Sequence, residues 1–211
     1  MFIGVDEAGR GPVIGPLVVC AFAAVNRQYL LDIGVKDSKD LSVKKREEIF
    51  EIIKEMPHKV IICSPEEIDD HYNLNVLETE LFARALKSMP EGKIMLDACD
   101  VNATRFANNV NKLSGKSCEA EHKADSNYPE VGAASIIAKV MRDRLIQELS
   151  KEVGFDLGSG YPSDPKTQKA VKILTEGEAP HPCLRWSWKT VENAWGGNVP
   201  PRPSSSQQTL F

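Results

Sequence analysis

No two cysteines in this sequence stand in a C-x-x-C spacing; Cys20, Cys63, Cys99, Cys118 and Cys183 are scattered singly. That argues against a zinc knuckle or a disulfide framework and leaves buried, reduced thiols as the expected state. Apolar runs near the roughly 20 residues of a membrane helix are missing too. The start, Met1-Phe2-Ile3-Gly4-Val5-Asp6-Glu7, has no basic leader, so a cytoplasmic protein with no membrane association is expected. A basic excess is also absent. Net charge is −4, with 13 acids against 9 bases in the first 70 residues and 17 against 17 beyond them. Gripping DNA by broad phosphate neutralisation normally takes a basic excess. Any nucleic-acid contact is therefore expected through a small footprint aided by bound cations.

What is present is an alternation of short apolar runs and amphipathic segments. Phe2 to Asp6 reads as a buried strand and Val13 to Phe22 as a second, with glycine and proline marking a bulge or edge. Ser42 caps a helix whose apolar face is Ile49, Ile52, Ile53 and Met56. Lys59 to Cys63 is a third strand, and Ser64-Pro65-Glu66-Glu67 is a capping box opening a short helix. Asn75 starts another helix that stops at Pro90. Ile94 to Leu96 is a strand ending at Asp97, a helix through Phe106, Val110 and Leu113 stops at Gly115, and Ser117 to Glu121 is the last strand. A long helix runs from Pro129 to about Val153, Asp164-Pro165 opens one more, and Ser187 caps the last. A leading hairpin followed by alternating strands and helices predicts an α/β domain with a mixed sheet.

Four acids fall at strand ends. Asp6 and Glu7 close the first strand, Asp97 closes the fourth, and Asp125 follows the fifth. Three or four carboxylates within a few ångströms repel one another unless a divalent cation sits among them. Oxygen donors without grouped histidine or cysteine select magnesium or manganese over zinc. Two such ions about 4 Å apart suit phosphodiester hydrolysis. For any single residue, a helix cap or a solvated acid is the plainer reading. Asp97 has the best intrinsic case, because an acid directly after Ile-Met-Leu is costly to bury alone. Neighbours on a regular strand point to opposite faces, so Asp6 and Glu7 share a site only where the strand ends or bulges. Gly9-Arg10-Gly11-Pro12 offers irregular backbone for that.

Asp6-Glu7-Ala8-Gly9-Arg10-Gly11-Pro12 resembles the opening motif of type-II ribonucleases H, followed by Ile14-Gly15-Pro16-Leu17-Val18. Val35-Lys36-Asp37-Ser38-Lys39, Leu96-Asp97 with Asp100-Val101, and Glu121-His122-Lys123-Ala124-Asp125 also match. So do Ala133 to Val140, Gly158-Ser159-Gly160-Tyr161-Pro162-Ser163-Asp164-Pro165, and Arg185-Trp186-Ser187-Trp188-Lys189-Thr190. These occur in the family's order over about residues 1 to 195, and the last segment resembles its archaeal branch. The resemblance implies a ribonuclease H-like fold, a five-stranded mixed sheet flanked by helices, in a catalytic domain over 1–178. A helical extension over 179–198 and a disordered tail over 199–211 follow. It implies an endoribonuclease that hydrolyses the RNA strand of RNA/DNA hybrids and single ribonucleotides in duplex DNA, leaving 3′-hydroxyl and 5′-phosphate ends. It assigns catalysis, and two ions of Mg2+ or Mn2+, to Asp6, Glu7, Asp97 and Asp125.

Substrate contacts are expected from Gly9, Arg10 and Gly11, whose bare backbone can approach a ribose 2′-hydroxyl. Tyr161 resembles the family tyrosine that stacks on the sugar at the RNA–DNA junction. Lys39, Lys123, Lys139 and Arg142 are candidate phosphate contacts, the last two sharing a helix face. Gln207 and Leu210 resemble a motif that docks on DNA sliding clamps, although the chain stops before that motif's aromatic pair. The protein is expected to be a monomer. A DNA nuclease or resolvase on the same fold is the nearest alternative, and a non-catalytic nucleic-acid-binding module is another. The glycine-rich segment with Tyr161 opposes the former, and acids that repel phosphate oppose the latter.

Overall fold

The computed structural model describes residues 1–36 and 38–202, and only the backbone of Lys39. Five strands, β1 (Phe2–Ala8), β2 (Leu17–Ala24), β3 (His58–Cys63), β4 (Lys93–Asp97) and β5 (Cys118–Glu121), form one sheet in the order β3-β2-β1-β4-β5. The β1–β2 and β2–β3 pairs are antiparallel, while β1–β4 and β4–β5 are parallel. The helices are α1 (Arg27–Asp32), α2 (Val43–Ile53), α3 (Pro65–Asp70), α4 (Leu74–Leu86), α5 (Ala103–Ser114), α6 (Ala124–Asn127), α7 (Pro129–Val153), α8 (Pro165–Leu174) and α9 (Lys189–Trp195). No helix among the described residues is long and apolar enough to cross a membrane.

Two compact units divide the chain. Unit 1 comprises Met1–Arg10, Leu17–Cys63 and Asn73–Arg144; unit 2 comprises Gly11–Pro16, Ser64–Tyr72 and the chain from Leu145. This division does not follow the boundary expected at residue 178. Segments distant in sequence join unit 2 through backbone pairing. Val13 N–H donates to the Gly160 carbonyl at 2.8 Å, and Gly15 N–H to the Cys183 carbonyl at 2.8 Å. The same pairing explains why the second strand starts at Leu17 and not at Val13: Ile14 bridges to Leu184 instead. The expected sliding-clamp residues Gln207 and Leu210, like the rest of 203–211, lie outside the described residues.

Other elements differ by small shifts with local causes. Asn26 caps α1, a six-residue helix too short to show a period in the sequence; its side chain accepts from Gln28 N–H and Tyr29 N–H. Asn102 caps α5, its side chain accepting from Arg105 N–H, while Asp100 accepts from Asn102 N–H and pairs with Arg105. Ile52, expected on the core face of α2, is exposed; Phe50 is buried beside Ile49 and Ile53.

The core of unit 1 forms because β2 is buried along its whole length and α4 lays Leu77, Leu81 and Phe82 inward, Phe82 meeting Phe106 edge-on at 5.1 Å. Gly4 sets how close α7 comes to the sheet. A Cβ at Gly4 would stand 2.3 Å from the Glu130 carbonyl carbon and the Val131 nitrogen, so only glycine lets the start of α7 lie on β1. Backbone cannot yield as a flexible side chain does. Gly4→Ala is expected to cost about 2 kcal/mol or more through overpacking, read as a lower denaturant midpoint; an unchanged midpoint would contradict this seating of α7.

Candidate metal centre

Strand register settles which side chains converge. The parallel β1–β4 pairing runs Gly4 with Met95 and Val5 with Leu96, so its continuation sets Asp97 level with Asp6. Alternate residues share a face, which puts Asp6 with Gly4 and Asp97 with Met95. That face carries α6 and α7: Gly4 lies under Glu130, and Met95 packs with Ala124, Val131 and Tyr128. Asp125 enters from α6, directly after β5. Between them, Lys123 adopts φ 60°, the left-handed conformation that a non-glycine residue rarely takes, and turns the chain sharply. Ala124 N–H then donates to Asp97 Oδ1 at 2.7 Å, fixing one carboxylate to the loop that delivers another.

The result is a triad. One carboxylate oxygen from each of Asp6, Asp97 and Asp125 lies within 4.8 Å of the others, with Asp6 and Asp125 buried and Asp97 half-buried. Asp6 is oriented by Glu7 N–H, which donates to its Oδ1 at 2.7 Å. Burial pushes the Asp6 carboxyl well above the usual range, followed by the charges of Glu7, Asp97 and Asp125, against the Ser135 hydroxyl, which hydrogen-bonds Asp6 and favours the charged form. Ser135 in turn lies 2.9 Å from the Ser38 hydroxyl, both buried.

Glu7 is not among the three converging acids. β1 stays paired with β2 through Ala8, without the bulge looked for in the sequence, yet the Glu7 carboxylate acts on Asp6 more strongly than the other two acids do. Its charge is felt at Asp6 and also at Cys99. Arg10 is anchored to α4, pairing with the fully buried Glu78 and donating to Asn75 Oδ1 at 2.7 Å. Glu78 was not singled out in the sequence; its signal was a glutamate between Leu77 and Leu81 on an otherwise apolar face. Ser135 gave no such signal, because serine in a small-residue run reads as packing.

The expected phosphate contacts separate. Lys123 is exposed at the turn before Asp125. Lys139 pairs with Asp143 at 2.8 Å. Arg142 is fully buried, its guanidinium 3.6 Å from Asp143, and this corrects its expected place on a phosphate-facing surface. The side chain of Lys39 lies outside the described residues. Gly9 is at φ 97°, and Gly11 lies in unit 2 beside Tyr161, whose Cε1 would be 3.7 Å from a Cβ at Gly11.

The donor set is made of carboxylate oxygens alone, converging and partly buried, which suits a hard divalent cation. Fold and site together define a metal-dependent nuclease of the ribonuclease H-like fold. A family model described as Ribonuclease HII matches residues 3–191. The ribonuclease HII of Methanocella arvoryzae is 47% identical over 201 residues, covering 89% of this chain and 88% of the relative. A chain of the PCNA:RNase HII complex from Archaeoglobus fulgidus aligns with TM-score 0.84 at 42% identity, covering 92% of this chain and 96% of the other. Bst-RNase HIII, solved in complex with Mn2+, aligns with TM-score 0.79 at 23% identity, over 92% of this chain and 68% of its own, a likeness of fold. The chain belongs to the ribonuclease HII family. Its activity is that of a ribonuclease H.

The raised Asp6 pKa has a consequence for stability. The folded state holds that proton more tightly than the unfolded chain, so stability without metal falls as pH rises from the ordinary aspartate range through the raised value. Asp6→Asn removes the disfavoured charge. In chelator the variant is expected to unfold at a higher denaturant midpoint than the parent, and to gain less from Mn2+. A parent that Mn2+ does not stabilise, or a variant that it stabilises equally, would contradict a metal site here.

Proposed function

We propose that Asp6, Asp97 and Asp125, joined by Glu7, hold divalent cations and hydrolyse the RNA strand of RNA/DNA hybrids and single ribonucleotides within duplex DNA. Cleavage falls on the 5′ side of the ribonucleotide and leaves 3′-hydroxyl and 5′-phosphate ends. The observation that carries this reading is the convergence of three carboxylate oxygens within 4.8 Å on one face of the sheet. When bound, Mg2+ or Mn2+ supplies Lewis acidity to the attacking water and to the leaving oxygen. The protein's own contribution is position. Glu7 N–H and Ala124 N–H hold Asp6 and Asp97 in fixed rotamers, so little reorganisation remains at the moment of reaction.

Selection for RNA needs groups that read a 2′-hydroxyl. Gly9 and Gly11 supply backbone unshielded by side chains, Arg10 is held by Glu78 and Asn75, and Tyr161 is partly exposed for stacking on the sugar. Lys123 and Lys139 are the phosphate contacts of this reading, with Lys39.

The test compares duplex DNA carrying one ribonucleotide with the all-DNA duplex, in Mg2+, Mn2+ or chelator. Cutting of the first alone, dependent on metal, is expected; equal cutting of both would make the protein a DNA nuclease. Asp97→Asn is expected to lower kcat by about 10³-fold or more with folding intact, and an active variant would remove Asp97 from the site. Tyr161→Ala is expected to slow single-ribonucleotide substrates more than long hybrids, whereas a uniform loss would assign Tyr161 to packing.

The Archaeoglobus fulgidus relative was solved with PCNA, a sliding clamp. That supports docking of this chain on a clamp, with Gln207 and Leu210 as the proposed contact residues. Deleting 203–211 is expected to abolish clamp binding measured by calorimetry and to leave cleavage of short duplexes unchanged; retained binding would place the contact elsewhere.

A further inference from the structure

We infer that Arg185 is a positioning residue for ribonucleotide selection: it holds the Gly11–Pro16 segment in register with Tyr161. The inference rests on the reading of Gly11 and Tyr161 given above and adds the group that fixes them. All the residues concerned belong to unit 2.

Gly11–Pro16 has no regular strand of its own, so its backbone groups need partners elsewhere. On one side, the Gly160 carbonyl accepts from Val13 N–H at 2.8 Å and from Ile14 N–H at 3.3 Å. Gly160 precedes Tyr161 directly, and it is itself pinned: its N–H donates to Thr167 Oγ1 at 2.9 Å, and that hydroxyl donates to the Leu157 carbonyl at 2.9 Å. On the other side stands Arg185. Its backbone N–H donates to the Val13 carbonyl at 2.9 Å, and its side-chain Nε donates to the Gly15 carbonyl at 3.0 Å. One residue thus binds two alternate carbonyls of the segment, fixing its height as well as its tilt. Gly11 is where this braced segment begins, and a Cβ there would stand 3.7 Å from Cε1 of Tyr161.

The choice of residue is informative. Arg185 is 0% exposed, with its guanidinium carbon 5.0 Å from the Trp188 ring centroid. A guanidinium so enclosed cannot touch a substrate phosphate, and burying its charge is costly. A neutral donor would satisfy one carbonyl at less cost. The rigid planar fork, held over the Trp188 indole, gives a fixed direction to the Nε–H that a flexible amine lacks. Its value therefore lies in holding direction, and what it directs is the segment leading from Gly11.

The test measures kcat/KM of the full chain on a duplex with one ribonucleotide and on a continuous RNA/DNA hybrid, and follows their ratio. Arg185→Lys keeps the charge and loses the fork, and Thr167→Val releases Gly160 from the opposite side should the lysine variant fold poorly. Each is expected to lower the ratio by about tenfold, with Mn2+ affinity by calorimetry unchanged because the acids belong to unit 1. In a Tyr161→Ala background the same substitutions are expected to leave the ratio where Tyr161→Ala put it. Equal losses on both substrates, tracking only a fall in melting temperature, would make Arg185 merely structural and overturn the inference. If Tyr161→Ala alone leaves the ratio unchanged, the reading of Tyr161 fails first and takes this inference with it.

Discussion

Repulsion among carboxylates is the constraint on which this structure turns. Asp6 stands on the central strand, under a helix, with Asp97 and Asp125 brought against it, an arrangement that water would otherwise disperse. The fold opposes that repulsion with rigid parts. Gly4 lets α7 lie on β1, β4 runs parallel to β1 so that its last residue arrives level with Asp6, and the Lys123 turn aims Asp125 inward. Each of these features stabilises the site's shape at some cost to the protein without metal. Such an exchange is what a catalytic centre requires.

Much of this was legible in the sequence. The acid after Ile-Met-Leu marked the end of β4, and the mixed character of the sheet followed from the hairpin and the later alternation with helices; Asp6 and Glu7, expected to close the first strand, lie inside β1, which runs on to Ala8. The pairing of Gly11–Pro16 was not legible. Val13 and Ile14 read as the start of a strand because their apolar pattern runs on into Leu17, but their partners at Gly160, Leu184 and Arg185 lie far along the chain. Non-local pairing leaves no period in a sequence. The same holds for Ser135, whose role depends on a neighbour 129 positions earlier, at Asp6.

Helix periodicity also misled in one place. Lys139 and Arg142 do share a helix, yet Lys139 is partly exposed while Arg142 is fully buried. Arg142 lies inside the protein, as Arg185 does in unit 2. Both positions carry a charge whose work is internal. The net charge of −4 leaves no broad basic excess for gripping phosphate.

The central claim is that Asp6, Asp97 and Asp125 share a divalent cation. Anomalous diffraction from crystals of this protein equilibrated with Mn2+ tests it most directly. An anomalous peak within about 2.3 Å of oxygens from all three residues is the predicted result. A Mn2+ peak elsewhere, with these three carboxylates turned apart, would contradict the account.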